Sequence, residues 1–467
     1  MDDRLKTLFE GWIDAHFDEM VEEIKNIVRI PSVSRYDEPG APYGRECLRA
    51  LRHYIALAGR FGLDARSVDD RCAEAGALTD DENAIALWCH LDVVPVDDTW
   101  KYTRPFEPII LGDYLIGRGG DDNKGPAIAC LYLLRMFKEL GVKTRHPLRA
   151  CVGTDEEKHM GDVKHYALTR PTAKLNIVAD SGFPVCFAEK GIIEADIAAK
   201  QPVSLLKGFS AGTASNIVPA KAEAVIDIAE GLEGGERVSR SSDGALTRMT
   251  ASGIPAHSAN PSAGLNAIKL LTEKLLALQG LTESDRRTLE FFDAVNDGCS
   301  GDALGIASSD EVSGNTTCAG TMARMTDDGR PVLHVNIRAC VSADCNALAE
   351  SMKQKCLENG CEIIALDINE GNFFPPEKPV VNELTKLFNE LSGLDKKPYA
   401  MGGGTYARKL PNAIAYGLGG LPKPETDLFE PGHGGAHQAD EALYLPNLKK
   451  AMLILALSVL KADEVTQ

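Results

Sequence analysis

The chain has 467 residues, more than one hydrophobic core usually serves, so two domains are the natural expectation. Apolar residues make up 44% and charged residues 25%, the balance of a globular protein rather than a disordered one. A formal net charge of -18 argues against nucleic acid and anionic membrane as partners, because phosphate binding needs concentrated Lys and Arg.

The first twenty residues are acidic and amphipathic and lack the basic start and apolar run of a secretion signal. Leu5, Leu8, Trp12, Phe17, Val21, Ile24 and Val28 recur at helical spacing, and Pro31 closes that helix. Short apolar runs at Ala84 to Cys89, Leu148 to Gly153, Leu175 to Ala179 and Ala413 to Tyr416 predict buried strands, with a helix from Pro126 to Leu140 between the first two. Buried strands alternating with helices imply a mixed α/β fold with a largely parallel sheet flanked by helices. The middle of the chain reads differently. Ala222 to Ala229, Val332 to Ala339 and Cys361 to Ile368 predict strands, and Asn266 to Gln279 and Cys345 to Glu358 predict helices. This pattern implies an inserted α+β, ferredoxin-like domain, with Gly231 to Ser242 as an exposed loop. The expected bounds are 190–380 for the insertion and 1–189 with 381–467 for the first domain.

The apolar stretch Ala451 to Leu460 is too short to span a bilayer and predicts a core helix. The 12 cysteines form no C-x-x-C pair, and Cys89, Cys130, Cys151 and Cys186 lie in apolar runs. They read as reduced thiols, and with no secretion signal the expected location is the cytoplasm.

Polar residues fall at the ends of the predicted strands. The first strand runs into His90-Leu91-Asp92, the second into Thr154-Asp155-Glu156-Glu157 and the third into Asp180, while Asp122 follows the Gly117–Gly120 turn. In open α/β sheets, ligands bind beyond the carboxyl ends of the strands. Two histidines and several carboxylates, with no cysteine suitably placed, suit Zn²⁺ or a similar divalent ion. Two such ions can share a carboxylate and activate a water, and a carboxylate not tied to metal can move the proton. His90 and Asp92 are two residues apart, so on an extended chain they face the same way and Asp92 can orient the imidazole. Each feature also has a bland reading: a polar strand end, a solvated acidic loop, an ordinary glycine turn. The Gly-rich turn lacks the G-K-[ST] ending of a phosphate loop.

The strings HLDVVP (90–95), GRGGDDNKG (117–125), GTDEE (153–157), ADSGFP (179–184) and AHQADE (436–441) occur in the order found in the dinuclear zinc exopeptidases and deacylases, and the chain resembles that family over nearly its whole length. TWKYTRPFEP (99–108), FAEKG (187–191), SNIVPAKAEA (215–224), GIPAHSANPSAGLNA (253–267) and GGGTYAR (402–408) make it most similar to the Xaa-His (β-Ala-His) dipeptidase branch of dipeptidase V.

The resemblance implies two Zn²⁺ per chain, with Mn²⁺ or Co²⁺ as alternatives. His90 and Asp180 hold one ion, Glu157 and His437 the other, and Asp122 bridges them. Asp92 orients His90, and Glu156 is the general base for a bridging hydroxide that attacks the peptide carbonyl. His257, on the inserted lid, stabilises the oxyanion. Asn216, Arg338, Gly403, Gly404 and Thr405 hold the substrate, Arg338 through a bidentate grip on its carboxylate. Asp121 competes with Asp122 for the bridge, and His433 competes with His437. The implied function is that of a metallodipeptidase acting on small peptides, with a lid that excludes longer substrates and replaces a dimer partner, hence a monomer. The alternatives are a carboxypeptidase or N-acyl amino acid deacylase of the same family, or a non-catalytic binding protein on the same fold. The motifs do not fix side-chain preference or the physiological metal.

Overall fold

A run of apolar residues buried on both faces needs neighbours above, below and to either side, and four such runs organise the first half of the molecule. A computed structural model describes residues 3–36, 38–78, 82–227, 234–243 and 246–466. The chain forms two units, one of Met1–Phe187, Phe373–Tyr399 and Thr405–Gln467, the other of Ala188–Asn372 and Ala400–Gly404.

In the first unit Ile85–His90, Leu148–Gly153, Leu175–Val178 and Ala413–Ala415 are strands, buried at every residue. They run parallel in the order 148–153, 85–90, 175–178, 413–415. Cys72–Gly76 and Ala65–Val68 extend the sheet antiparallel beyond the first of these. Parallel pairing puts the carboxyl ends of all four central strands, His90, Gly153, Val178 and Ala415, at the same end of the sheet.

The helix Gly125–Glu139 is buried on almost every side and touches both the sheet and the helices Asp3–Val28 and Leu445–Val465. Its Pro126 sits in the first turn, where a missing N–H leaves no carbonyl unpaired. The late apolar stretch forms the buried side of Leu445–Val465, and no described helix is long and apolar enough to cross a membrane. Arg45–Arg60 is a further amphipathic helix, burying Cys47, Leu48, Leu51, Tyr54, Leu57 and Ala58. No disulfide joins any of the 12 cysteines, and all but Cys299 are buried.

The second unit is one antiparallel sheet of eight strands, in the order 238–243, 246–252, 221–226, 206–211, 317–325, 331–339, 191–199, 361–369. The expected α+β insertion is thus built on a sheet wider than a ferredoxin-like core. The helices Ala267–Leu276, Glu283–Val295 and Cys345–Glu358 pack on it, with Leu271, Leu275, Phe292 and Met352 meeting Ile193, Val335 and Ile337 in one core. The exposed loop expected at 231–242 is overturned over its later part. Val238–Asp243 is an edge strand paired with Leu246–Ser252, in which Val238 is buried and residues 239–242 are exposed. Composition favoured a loop there, but an edge strand is paired on one side only and tolerates polar, exposed side chains. Residues 231–233 lie outside the described residues.

On the sheet face away from those helices, Glu194 and Asp196 stand opposite Asn336 and His334. His334 Nδ1 lies 2.8 Å from Asp196 and Nε2 3.7 Å from Glu194. Burial disfavours the imidazolium, but the hydrogen bonds and charges of Asp196 and Glu194 outweigh it and raise the His334 pKa to about 9. An unfolded histidine titrates near 6.5. The stability held in this proton is therefore fully present below about pH 6.5 and is lost as pH rises through about 9, a difference on the order of 3 kcal/mol. Urea unfolding followed by circular dichroism should show stability falling across that window, and His334→Ala should flatten the fall. An unchanged slope in the variant would remove His334 as its source.

Candidate metal centre

Three of the four central strands lead into polar residues at the same end of the sheet. His90 closes its strand and is fully buried. Leu148–Gly153 leads into Glu156 and Glu157, and Leu175–Val178 leads into Asp180. Asp122 comes from the turn before Gly125–Glu139, and His437 from the loop before the strand Ala442–Tyr444. Two glycines make this geometry possible. Gly119 is left-handed (φ 85°), and a Cβ there would lie 2.7 Å from Val93 Cγ1. A Cβ on Gly153 would fall 2.1 Å from an Asp162 oxygen.

Five side chains converge in two groups that share Asp122: His90, Asp122 and Asp180, and Asp122, Glu157 and His437. His90 Nε2 lies 3.0 Å from Asp122 Oδ1 and 3.7 Å from Asp180 Oδ2. His437 Nε2 lies 3.1 Å from Asp122 Oδ2 and 2.9 Å from Glu157 Oε1. Donors on one tetrahedral zinc, each about 2.0–2.1 Å from the ion, stand roughly 3.3 Å apart, so these separations fit ligands around common ions. The two oxygens of Asp122 face different imidazoles, as a bridging carboxylate requires.

The electrostatics point the same way. Burial alone lowers the His437 pKa, but hydrogen bonds to Asp122 and Glu157 raise it to about 11. His90, also opposed by burial, is raised by the charge of Asp180 and the hydrogen bond to Asp122. Acids crowded around both imidazoles favour added positive charge there, which a divalent ion supplies. With two imidazoles, three carboxylates and no thiol, the residues fit Zn²⁺ or a similar ion. Glu156 stands apart. Its Oε1 is buried with no hydrogen-bond partner, and burial, then the charge of Asp180, pushes its carboxyl well up.

A second layer fixes the first. Asn123 accepts from the His90 backbone N–H (3.3 Å) and donates to Asp180 Oδ1 (2.8 Å) and the Ala179 carbonyl (3.0 Å), tying three ligand segments together. The fully buried Glu441 accepts from the N–H groups of Gly119, Asp121 and Asp122 at 3.0–3.1 Å. Arg118 pairs with Glu441 at 2.7 Å and reaches the His437 carbonyl at 3.3 Å, where His437 is left-handed (φ 65°). Asp162 accepts from Thr154 and Asp155 N–H groups and from the Tyr406 hydroxyl, bracing the loop that carries Glu156 and Glu157. None of the supporting Asn123, Glu441 and Asp162 was singled out in the sequence. Asn123 and Glu441 do stand inside the motif strings, next to the residues they hold, whereas Asp162 carried no signal.

The remaining expected residues fall as follows. Asp92 is buried, and its carboxylate accepts from the Glu156 and Glu157 N–H groups at 3.1 Å. His90 Nδ1 is held by the Asp92 main-chain carbonyl at 3.0 Å, with the carboxylate at 3.5 Å, because the strand ends at His90 and strict alternation stops there. Asp121 lies outside both groups, 3.8 Å from Lys423. His433 is also outside, bonded to Asp440 at 2.7 Å. In the second unit, Ser258 N–H donates to the Asn216 carbonyl at 2.9 Å, and His257 Nδ1 accepts from Ala259 at 3.1 Å. Arg338 donates to Asn336 Oδ1 (2.9 Å), Ser258 Oγ (3.3 Å) and the carbonyl of Gly402 (3.1 Å), beside Gly403 and Gly404. Thr405 belongs to the first unit, is buried, and caps the short turn at Tyr406–Lys409 through Ala407 N–H.

The chain resembles known proteins in sequence and in fold. The chain is 28% identical over 472 residues to the putative dipeptidase YtjP of Bacillus subtilis (strain 168), covering 95% of this chain and 96% of that one. It is 26% identical over 434 residues to a putative dipeptidase of Staphylococcus aureus (strain MW2), covering 87% and 90%. In fold it is similar to human carnosine dipeptidase 1 (14% identity, TM-score 0.60, 98% of this chain and 99% of that one). It is likewise similar to the dipeptidase Dug1p of Saccharomyces cerevisiae (15% identity, TM-score 0.60, 98% of each). The model of peptidase family M20/M25/M40 matches residues 86–461, which contain every residue of both ligand groups, and the chain belongs to that family.

Proposed function

We propose that this peptidase-family member is a metal-dependent dipeptidase that hydrolyses the amide bond of small peptides, using two Zn²⁺ (or Mn²⁺ or Co²⁺) per chain. The observation that carries the reading is the pair of ligand groups sharing Asp122, with the buried Glu156, whose Oε1 has no hydrogen-bond partner, beside them. The naming of the relatives as putative dipeptidases along most of the chain supports the substrate class.

In this reading His90, Asp122 and Asp180 would hold one ion, and Asp122, Glu157 and His437 the other. Divalent ions bound there supply Lewis acidity and bring the pKa of a water toward neutrality. Glu156 accepts the proton of the attacking water and returns it to the leaving amine, a task suited to a buried carboxyl whose proton affinity is raised. Asp92 positions this base through the N–H groups of Glu156 and Glu157.

The substrate-binding roles extend to the second unit. Because His257 Nδ1 accepts a hydrogen bond, its neutral ring carries the proton on Nε2 and can donate to a developing oxyanion. Arg338, its guanidinium oriented by neutral acceptors, suits a substrate carboxylate. Asn216, Gly403, Gly404 and Thr405 are the further residues to which we assign substrate binding, through amide and backbone groups. The cysteines, mostly buried and joined by no disulfide, fit a reducing cytoplasm, and we read the working form as a monomer.

Glu156→Gln should retain its metal and lose on the order of 10²–10⁴-fold in kcat; full turnover in that variant would refute the base assignment. Chelation should abolish hydrolysis, and Zn²⁺, Mn²⁺ or Co²⁺ should restore it; activity that survives a metal-free state shown by elemental analysis would end the metal reading. Across a panel of dipeptides, tripeptides and N-acyl amino acids, dipeptides should show the highest kcat/KM. Faster tripeptide or acyl-amino-acid cleavage would move the chain to the carboxypeptidase or deacylase side of the family.

A further inference from the structure

Beside the metal cluster, within the first unit, lies a cavity of about 270 Å³ lined by Asp121, Asp122, Asp180, Lys423, Leu421 and Tyr444, among others. This is below the roughly 300–1,000 Å³ that drug-sized ligands occupy, and it suits one small group next to the reacting bond. Asp122 and Asp180 belong to the ligand groups, so their charge is directed at cations. Asp121 is the acid of the wall that belongs to neither group. Its place is fixed, because its backbone N–H is held by the buried Glu441 at 3.0 Å. Its basic neighbour, the Lys423 ammonium, stands at 3.8 Å, beyond hydrogen-bond distance, on a side chain 44% exposed to water. The cavity therefore offers a positioned carboxylate whose one basic neighbour among the lining residues is largely solvated.

We propose that this cavity receives the free amino end of the substrate and that Asp121 is the specificity-determining acceptor of its ammonium. The inference rests on the peptide-hydrolase reading above and goes further, to the chemistry that separates dipeptides from N-acylated amino acids. Consecutive Cα atoms are 3.8 Å apart, so Asp121 lies one residue from the shared ligand Asp122. In a dipeptide the ammonium lies only a few bonds from the scissile carbonyl. A peptide whose carbonyl reaches the metal cluster brings its amino group into this neighbourhood. A charge-assisted hydrogen bond to a carboxylate in a partly buried site then rewards a substrate with an ammonium and gives nothing to one without it. Leu421 and Tyr444 supply an apolar wall for the adjoining carbon atoms.

The test uses alanyl-alanine and propionyl-alanine, which differ only in the ammonium, with the metal-loaded full chain. The wild type should prefer the dipeptide. Asp121→Asn should cut the ratio of kcat/KM values by roughly 10- to 100-fold, the loss acting through the dipeptide while propionyl-alanine turnover and metal content stay unchanged. Asp121→Glu should keep much of the preference, and Lys423→Met should keep all of it. Direct titration of alanyl-alanine into a Glu156→Gln background should show the same weakening when Asp121→Asn is added. A ratio unchanged by Asp121→Asn, or one set by Lys423 instead, overturns the inference while leaving the dipeptidase reading intact. A wild type that cleaves neither compound would bring down both.

Discussion

The constraint on which the structure depends is the crowding of carboxylates. Asp122, Glu157 and Asp180 converge with Glu156 close by, and Asp92 lies directly behind the loop that carries Glu156 and Glu157. Like charges at such separations in a partly dry site repel by several kcal/mol unless something positive lies among them. Two imidazoles lie among them, each within hydrogen-bond distance of a carboxylate. Divalent cations answer the repulsion, and the placement of the imidazole nitrogens and carboxylate oxygens permits their binding.

Holding the acids in place despite their repulsion is the work of the surrounding amides and buried ion pairs. The carboxylates of Asp92, Asp162 and Glu441 are consumed by main-chain N–H groups of the ligand-bearing loops. Asn123 bridges the segments of His90 and Asp180. Buried polar groups of this kind cost free energy when left unpaired, so a loop that shifts loses several partners together. The rigidity of the site is thus a property of its hydrogen-bonded surroundings as much as of the ligands themselves.

The convergence of these side chains was legible in the sequence because two signals coincide for His90, Glu157 and Asp180: apolar runs that read as buried strands, and acids or histidines at their carboxyl ends. Once the strands are parallel, His90, Glu157 and Asp180 must share one end of the sheet. The choice of Asp122 over Asp121, and of His437 over His433, came from motif spacing, and in the structure Asp122 and His437 meet the other ligands while His433 serves Asp440. Supporting residues were harder to read. Asp162 lies eight residues beyond Thr154, and only the fold of the intervening turn returns it to that N–H. The edge strand Val238–Asp243 escaped because one buried valine among serines leaves almost no periodic signal. The orientation of His90 by a main-chain carbonyl was invisible for a similar reason, since it depends on where the strand stops.

The parallel strand Ala413–Ala415 has a consequence for how the molecule is made. It pairs with Leu175–Val178, yet the whole second unit is synthesised between them. As the chain leaves the ribosome, His90, Asp122, Glu157 and Asp180 are all available hundreds of residues before His437 and Glu441 exist. The eight-stranded unit can close on its own core during that interval. The catalytic sheet, by contrast, must hold its acids without their final imidazole and without the clasp on the Asp122 turn. Ordering of the cluster is therefore one of the last events of biogenesis, after the inserted unit has had time to fold.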